Sequence, residues 1–427
     1  MADGNVMNAV KKIINSDPAR RFIVVSAPGK RFGGDIKVTD LLYACYDEIV
    51  ETGTCEKAFS KIRARFESIV KELNLEMDIK AVLDETELRL EKEKSKDFTA
   101  SRGEYLSARI MAKVLDAKFI DAEDVVFFRE DGQLDDDRTY KEIAASVSGV
   151  KLAVFPGFYG TGTDGKVKTF SRGGSDISGA VVARAVNATV YENWTDVSGF
   201  LACDPRIVNN PKRIKALSYK ELRELSYMGA NVLHSESIFP VRKANIPIVI
   251  KNTFRPDDEG TAILPISQYK PDGNVVTGIA GKKNFTVILI EKNHMNTEIG
   301  FVRKVLSVLE REGVSVEHIP SGIDTMSVVL DSEEIAGYTL ERIIEGIKYD
   351  AEPDVIRVME DVALIATVGH GMSSSIGTSA RLFKAMAEAK VNAKMIDQGS
   401  SELNIIVGVK NEDCEKCIAA IYHEFFK

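Results

Sequence analysis

The segment T-F-S-R-G-G-S-D, residues 169–176, limits the possible folds of this chain more than any other stretch. An apolar run, Leu152 to Phe158, precedes it across the turn-rich G-T-G-T-D-G, and a helical pattern from Ile177 to Ala188 follows. The reading is a strand, a glycine pair, an N-capping Ser175 or Asp176, and a helix. Glycines let backbone N–H groups approach an anion, and a helix N-terminus adds a favourable dipole. Arg172 adds a planar fork suited to a carboxylate or phosphate. The segment therefore predicts a site for a small anionic group. Taken alone, Ser175 and Asp176 suit a plain N-cap equally well.

Residues 1–270 alternate strands and helices throughout. Strands are predicted at Phe22–Ser26, Phe119–Ile120, Val125–Phe128, Ala188–Tyr191 and Ile246–Ile250, and amphipathic helices at 56–72 and 76–93. Such alternation predicts an α/β fold, a largely parallel sheet sandwiched by helices. Ligands then bind beyond the carboxyl ends of the strands. The informative turns fall there: Ser26-Ala27-Pro28-Gly29, Pro156 to Gly160, and Trp194-Thr195-Asp196. Residues 252–274, with Pro256, Pro265 and Pro271, read as a linker.

Beyond it the chain repeats. Met295, Gly300, Val314, Ile319 and Gly322 recur at one constant interval as Met372, Gly377, Val391, Ile396 and Gly399. Each copy has a strand (Val287–Ile290; Leu364–Val368), a loop, and a helix (about Phe301–Arg311; Ser379–Lys390). Equal spacing over five landmarks predicts two copies of one small α/β module. The domain division is thus 1–270, 271–350 and 351–427, with the last strand and helix able to complete the first module.

At 427 residues, two or three domains are expected. A net charge of −8 argues against nucleic acid as the main partner. No basic, then apolar, leader opens the sequence and no run approaches a membrane span, so a cytoplasmic protein is expected. Five scattered cysteines fit a reducing compartment, and Cys414-x-x-Cys417 reads as one helix face rather than a metal or redox site. The five histidines have no ligand spacing, so no metal site is predicted.

V-V-S-A at 24–27, S-R-G-E at 101–104, F-S-R-G-G-S-D at 170–176, W-T-D-V-S-G-F at 194–200, D-P-R at 204–206 and M-G-A-N-V-L-H at 228–234 occur in one order. With the paired C-terminal repeats, this resembles the aspartokinase family over nearly the whole chain. The resemblance implies an amino-acid-kinase fold followed by two ACT-type modules, and phosphorylation of L-aspartate by ATP with Mg²⁺ on the phosphates. Arg172, Gly173, Gly174 and Ser175 match the aspartate-binding turn, Glu104 the substrate glutamate, and Ser26 and Thr39 hydroxyl positions of the same pocket. Arg172 and Asp176 carry the catalytic roles by analogy. Thr195, Asp196, Leu201, Arg206, Asn231 and Val232 match the nucleotide segment, although many members have tyrosine at the position of Leu201 and lysine at that of Asn231. Taken alone, Glu104 suits a solvated helix charge, Thr195-Asp196 a turn, and Arg206 a surface ion pair.

The family also begins with a strand leading into K-F-G-G-S, a phosphate loop that Ala2-Asp3 would follow directly. Lys30-Arg31-Phe32-Gly33-Gly34 resembles it only superficially. The expectation is a chain shortened at its start, with weak activity or none, or else a non-catalytic amino-acid sensor. Regulation is expected through the first module, at Met295, Gly300, Phe301, Val302, Ser315, Val316, Glu317, Ser321 and Asp324. Two carboxylates there suit a cationic effector, lysine first and threonine second. ACT-type modules pair between chains, so a homodimer or dimer of dimers is expected.

Overall fold

A computed structural model describes residues 1–171, 173–230, 232–233, 237–271 and 273–426. The chain opens with α1 (Gly4–Asn15), β1 (Phe22–Val25), α2 (Val38–Thr52), α3 (Glu56–Glu72), α4 (Ile79–Glu93) and α5 (Lys96–Leu115). Then come β2 (Lys118–Phe119), α6 (Ala122–Val125), α7 (Asp136–Ser146), β3 (Ala153–Pro156), β4 (Tyr159–Thr161), β5 (Val167–Thr169), α8 (Gly174–Ala185) and β6 (Tyr191–Thr195). The middle holds β7 (Ala216–Ser218), α9 (Tyr219–Tyr227), α10 (Phe239–Lys243), β8 (Ile248–Asn252) and β9 (Thr261–Leu264). The remainder is β10 (Gly278–Glu291), α11 (Phe301–Glu312), β11 (Thr325–Asp331), α12 (Thr339–Ala351), β12 (Val355–Val368), α13 (Thr378–Glu388), β13 (Met395–Asp397), β14 (Asn404–Lys410) and α14 (Cys414–Phe425).

Two compact units form. The first comprises Met1–Gly199 with Val232–Tyr269, the second Phe200–Asn231 with Lys270–Lys427. Residues 200–231 therefore group by contact with the C-terminal repeats.

In the first unit β3 lies between β1 and β2, all parallel, and β6 runs parallel to β8. The parallel expectation holds for these pairs, while β9 is antiparallel to β8 and β4–β5 is an antiparallel hairpin. α5 is buried along most of its length, and its Leu106, Ile110 and Met111 join β3 and the paired helices α2 and α3 in one core. The helix expected at 56–72 is observed with those bounds.

Three expectations need correction. Val125–Phe128 is not a strand: the Asp121 side chain caps the short helix α6, and Phe127 and Phe128 make only isolated bridges. The strand expected at Ala188–Tyr191 begins where that range ends, because Asn187 takes a left-handed φ of 48° and Ala188 N–H closes back onto Ala183, finishing α8 first. The presumed linker contains β9. Its alternating burial was hidden by the surrounding prolines.

The second unit is built on a five-stranded antiparallel sheet ordered β11-β10-β12-β14-β13. The two 14-residue strands, β10 and β12, pair with each other and join the repeats into one sheet. α11 and α12 pack over Val305, Val308, Ile343 and Ile347. The repeat is exact at the helix starts, where Gly300 and Gly377 cap α11 and α13 with φ of 84° and 86°. Only glycine adopts that conformation at little cost. α14 lies against β10 and β12 with Cys414 and Cys417 both buried on it, and all five cysteines are free thiols. Among the described residues, no helix is long and apolar enough to cross a membrane.

Candidate active site

The site is assembled in the first unit at the carboxyl ends of β1 and β3. Gly157, just past β3, donates its N–H to Val25 O at 3.0 Å, drawing the two strand ends together. α8 starts beside them. Its N-cap is Gly173, with φ 57° and ψ 28°, so Ser175 and Asp176 occupy the first turn and not the cap. The expected side-chain cap gives way because a left-handed glycine starts the helix more tightly than Ser or Asp could. A Cβ on Gly174 would lie 2.3 Å from Phe158 Cδ2, and one on Gly157 would lie 2.9 Å from Ser175 Cα. Backbone thus packs on backbone at the helix mouth. Phe158, with φ 80°, donates its N–H to Ser178 Oγ at 2.9 Å, and that hydroxyl donates to Gly174 O at 2.8 Å. The first N–H groups of α8 have no intrahelical acceptor, which makes this end a natural anion cradle. Arg172 lies outside the described residues.

Asp176 is held from β6. Its Oδ1 accepts from Asn193 Nδ2 at 2.9 Å, and its backbone carbonyl accepts from Tyr191 Oη at 3.2 Å. Burial, with the Asp176 charge beside it, pushes the Tyr191 phenol well up. Asn193 was not anticipated from sequence, where it is an unremarkable polar position between Glu192 and Trp194.

Glu104 is the most unusual group. It lies on α5 and is 6 % exposed, contrary to a solvated helix charge. The Ala27 N–H lies beside its carboxyl group, while Oε2 is buried with no hydrogen-bond partner among the described residues. Burial pushes its pKa up to about 8. The contact is set by its neighbour: a Cβ on Gly103 would come within 2.7 Å of Ala27 Cβ, so α5 seats directly on the turn after β1. The same turn receives the start of α2, where Val38 N–H donates to Pro28 O at 3.2 Å. Ser26 is exposed at the end of β1 and Thr39 is half-buried in the first turn of α2. Ser26, Thr39, Glu104 and Gly173 to Ser175 therefore surround one pair of strand ends.

The expected nucleotide residues divide. Thr195 ends β6 and Asp196 follows it, with Thr195 Oγ1 donating to Asp196 Oδ1 at 3.2 Å and Asn252 Nδ2 donating to Asp196 O at 3.3 Å. Val232 belongs to the same unit, whereas Leu201 and Arg206 belong to the other. Leu201 is half-buried and bridges to Arg213. Arg206 is 88 % exposed and grips Asp204 at 2.6 Å, holding that carboxylate below its ordinary pKa. Asn231 lies outside the described residues. Lys30 to Gly34 is an exposed loop whose Arg31 pairs with Asp35. Among the described residues, no group of three or more His, Cys, Asp or Glu is placed to hold a metal ion.

In the first module, Met295 is buried in the turn before α11 and Phe301 at its first position, and Val302 is exposed. Ser315 N–H donates to Glu334 Oε2 at 3.0 Å, Ser321 bridges to Met326, and Val316 packs against the module core. Asp324 Oδ1 accepts from His294 N–H at 2.9 Å. The Tyr227 hydroxyl of α9 lies beside the Glu317 carboxylate, a neighbour that sequence spacing gave no reason to expect.

The amino acid kinase family model matches residues 2–252, and an ACT domain model matches residues 365–425. Aspartokinase 3 of Bacillus subtilis (strain 168) is 39 % identical over 440 aligned positions covering 100 % of this chain and 96 % of the relative. The structure of Clostridium acetobutylicum aspartate kinase superposes with a TM-score of 0.94 at 51 % identity, covering 99 % of this chain and 97 % of the other. E. coli aspartokinase III with aspartate and ADP matches at a TM-score of 0.76 and 25 % identity, covering 100 % and 97 % of the two chains. The same E. coli enzyme with lysine and aspartate matches at 0.73, with the same identity and coverage. Fold and strand-end site together define an amino acid kinase joined to ACT modules. Within that class, the chain belongs to the aspartokinase family.

Proposed function

We propose that this protein transfers the γ-phosphoryl group of ATP to the β-carboxylate of L-aspartate, giving 4-phospho-L-aspartate, the entry to lysine, threonine and methionine synthesis. The observation that carries the reading is Glu104, a buried carboxyl with one oxygen unpartnered among the described residues, on the helix seated against the turn after β1, while α8 starts against the turn after the adjoining strand β3. A carboxylate and an anion cradle at adjoining strand ends would complement a zwitterion that bears a further carboxylate. Glu104 would pair with the α-ammonium of aspartate. Arg172, Gly173, Gly174 and Ser175 would hold its carboxylates, with Ser26 and Thr39 donating from the flanks.

The nucleophile is already ionised at neutral pH, so no general base is needed. The protein's task is to hold two anions in line and neutralise the group in transit. Arg172 and Asp176 would work at that point, with Asp176 kept in place by Asn193. Thr195, Asp196 and Val232, all in the first unit, would contribute to the nucleotide site. Mg²⁺ enters on the phosphates of ATP, where it asks for one or two carboxylates at most, and the exposed Asp196 suits that need. When bound, the ion supplies charge neutralisation.

Residues 271–350 and 351–427 act as ACT modules on a kinase spanning 1–270. The effector is lysine, with threonine second, held at Met295, Gly300 to Val302, Ser315 to Glu317, Ser321 and Asp324. The crystallised lysine complex of the E. coli enzyme supports that order. A cytoplasmic homodimer or dimer of dimers completes the reading. A coupled ADP-release assay with ATP, Mg²⁺ and L-aspartate tests it, run on this chain alone and preceded by a K-F-G-G-S segment. Aspartate-dependent turnover inhibited by lysine is expected of at least one of the two proteins, and turnover in neither would reject the reading.

A further inference from the structure

Arg102 precedes Glu104 by two residues on α5, so the two side chains leave the helix about 200° apart. Arg102 is 1 % exposed. Its guanidinium donates to Glu123 Oε1 at 2.7 Å and to Ser101 Oγ at 2.9 and 3.0 Å. Three rings enclose it, Phe98, Tyr105 and Tyr159, with centroids 4.2, 4.6 and 5.1 Å from the guanidinium carbon. A buried arginine so enclosed is held in one position, because any movement strands a charge away from water.

The cluster reaches both walls of the site. Glu123 lies on α6, and Asp121, which caps that helix, accepts the Tyr159 hydroxyl at 2.7 Å. Tyr159 directly follows Phe158, the residue packed against Gly174 at the mouth of α8. On the opposite wall, the turn of α5 that carries Arg102 also carries Gly103, seated on Ala27, and Glu104. One ionic cluster thus braces the carboxylate wall and the anion cradle against each other. The Arg102 charge also draws the Glu104 carboxyl back toward its ionised form, against the effect of burial.

We propose that Arg102 is a positioning residue that sets the spacing between Glu104 and the α8 cradle, and with it the length of amino dicarboxylate that the site accepts. The inference rests on the aspartate-site reading above. A spacer of this kind distinguishes aspartate from glutamate, since one methylene in a fitted site changes recognition by about 10–200-fold.

The test compares Arg102→Met, Arg102→Lys and Glu123→Gln with the parent enzyme and with Glu104→Gln. The readouts are kcat, KM for L-aspartate, KM for ATP and inhibition by L-glutamate, at a temperature where each variant is folded by circular dichroism. Arg102→Met is expected to raise KM for aspartate about tenfold and to strengthen glutamate inhibition, with kcat and KM for ATP within about twofold of the parent. Arg102→Lys should return part of the loss. Glu123→Gln should move KM the same way, and it carries the test if Arg102→Met does not fold. Folded variants that melt earlier yet keep the parental KM and selectivity would make Arg102 structural only and end the proposal. An unchanged KM in Glu104→Gln would instead overturn the aspartate-site reading beneath it.

Discussion

Glu104 shows what a buried carboxyl costs in stability. Its carboxyl titrates near pH 8 in the folded chain, against an ordinary value of 4.5. The folded state therefore binds this proton more tightly than the unfolded chain does. The stability it contributes is present below pH 4.5 and is lost as pH rises through 8. Glu104→Gln should remove that loss, raising the melting temperature at pH 8–9 through roughly a few kcal/mol, while raising KM for aspartate. A thermal melt series across pH checks the first effect, and an equal pH slope in parent and variant would refute it. In the parent, KM for aspartate should fall as pH rises toward 8, because only the ionised carboxylate pairs with an ammonium. Arg206 is the opposite case. It is exposed and bound to Asp204, so Arg206→Ala should leave the melting temperature nearly unchanged. A severalfold rise in KM for ATP in the same variant would give it the nucleotide role, and an unchanged KM would leave it a surface ion pair.

At the scale of elements, α9 is the informative helix. Its nine residues start with a capping box between Ser218 and Glu221. Glu221 Oε1 also accepts from Thr277 Oγ1 at 2.6 Å and from His370 N–H at 3.1 Å, and Glu224 Oε2 accepts from Asn404 Nδ2 at 2.6 Å. Its last residue, Tyr227, reaches Glu317 in the first module, and burial and that carboxylate push the phenol well up. One short helix therefore holds both modules and leads directly in sequence to Met228-Gly229-Ala230-Asn231-Val232. A cationic effector and Tyr227 would compete for Glu317. Tyr227→Phe should therefore lower the lysine concentration giving half-inhibition, by about two- to tenfold if one modest hydrogen bond is at stake, with uninhibited kcat unchanged. Dose–response curves check it. An unaltered midpoint would show that Glu317 is not where lysine is read.

For the molecule as a whole, the repeat explains the architecture of the second unit. Two modules that each lack a complete sheet share one through the β10–β12 pair. Ile299 and Ile376, matched residues immediately before the capping glycines, are both fully exposed. Exposed apolar side chains at matched positions suit contact with a second chain. Light scattering should therefore give at least twice the chain mass. Ile299→Asp combined with Ile376→Asp should lower that mass, and a monomeric parent at micromolar concentration would dismiss the homodimer.

Much of this was legible along the chain because its causes are local. Glycines that must be left-handed, a strand–turn–helix pattern around residues 169–176 and a constant repeat interval each leave a mark within a few tens of residues. Those marks established the α/β class, the paired modules and the family. What depended on distant partners was not legible. The burial of Glu104 follows from Gly103 meeting Ala27, the anchoring of Asp176 from Asn193 on another element, and the grouping of 200–231 with the repeats from the contacts of α9. Nor could spacing show whether a charged residue faces water or protein, as Arg102 and Arg206 illustrate with 1 % and 88 % side-chain exposure. Sequence determined the α/β class, the repeat and most of the helices. Tertiary packing decided which charges lose their water, and it is that loss which turns an ordinary glutamate into a candidate substrate ligand.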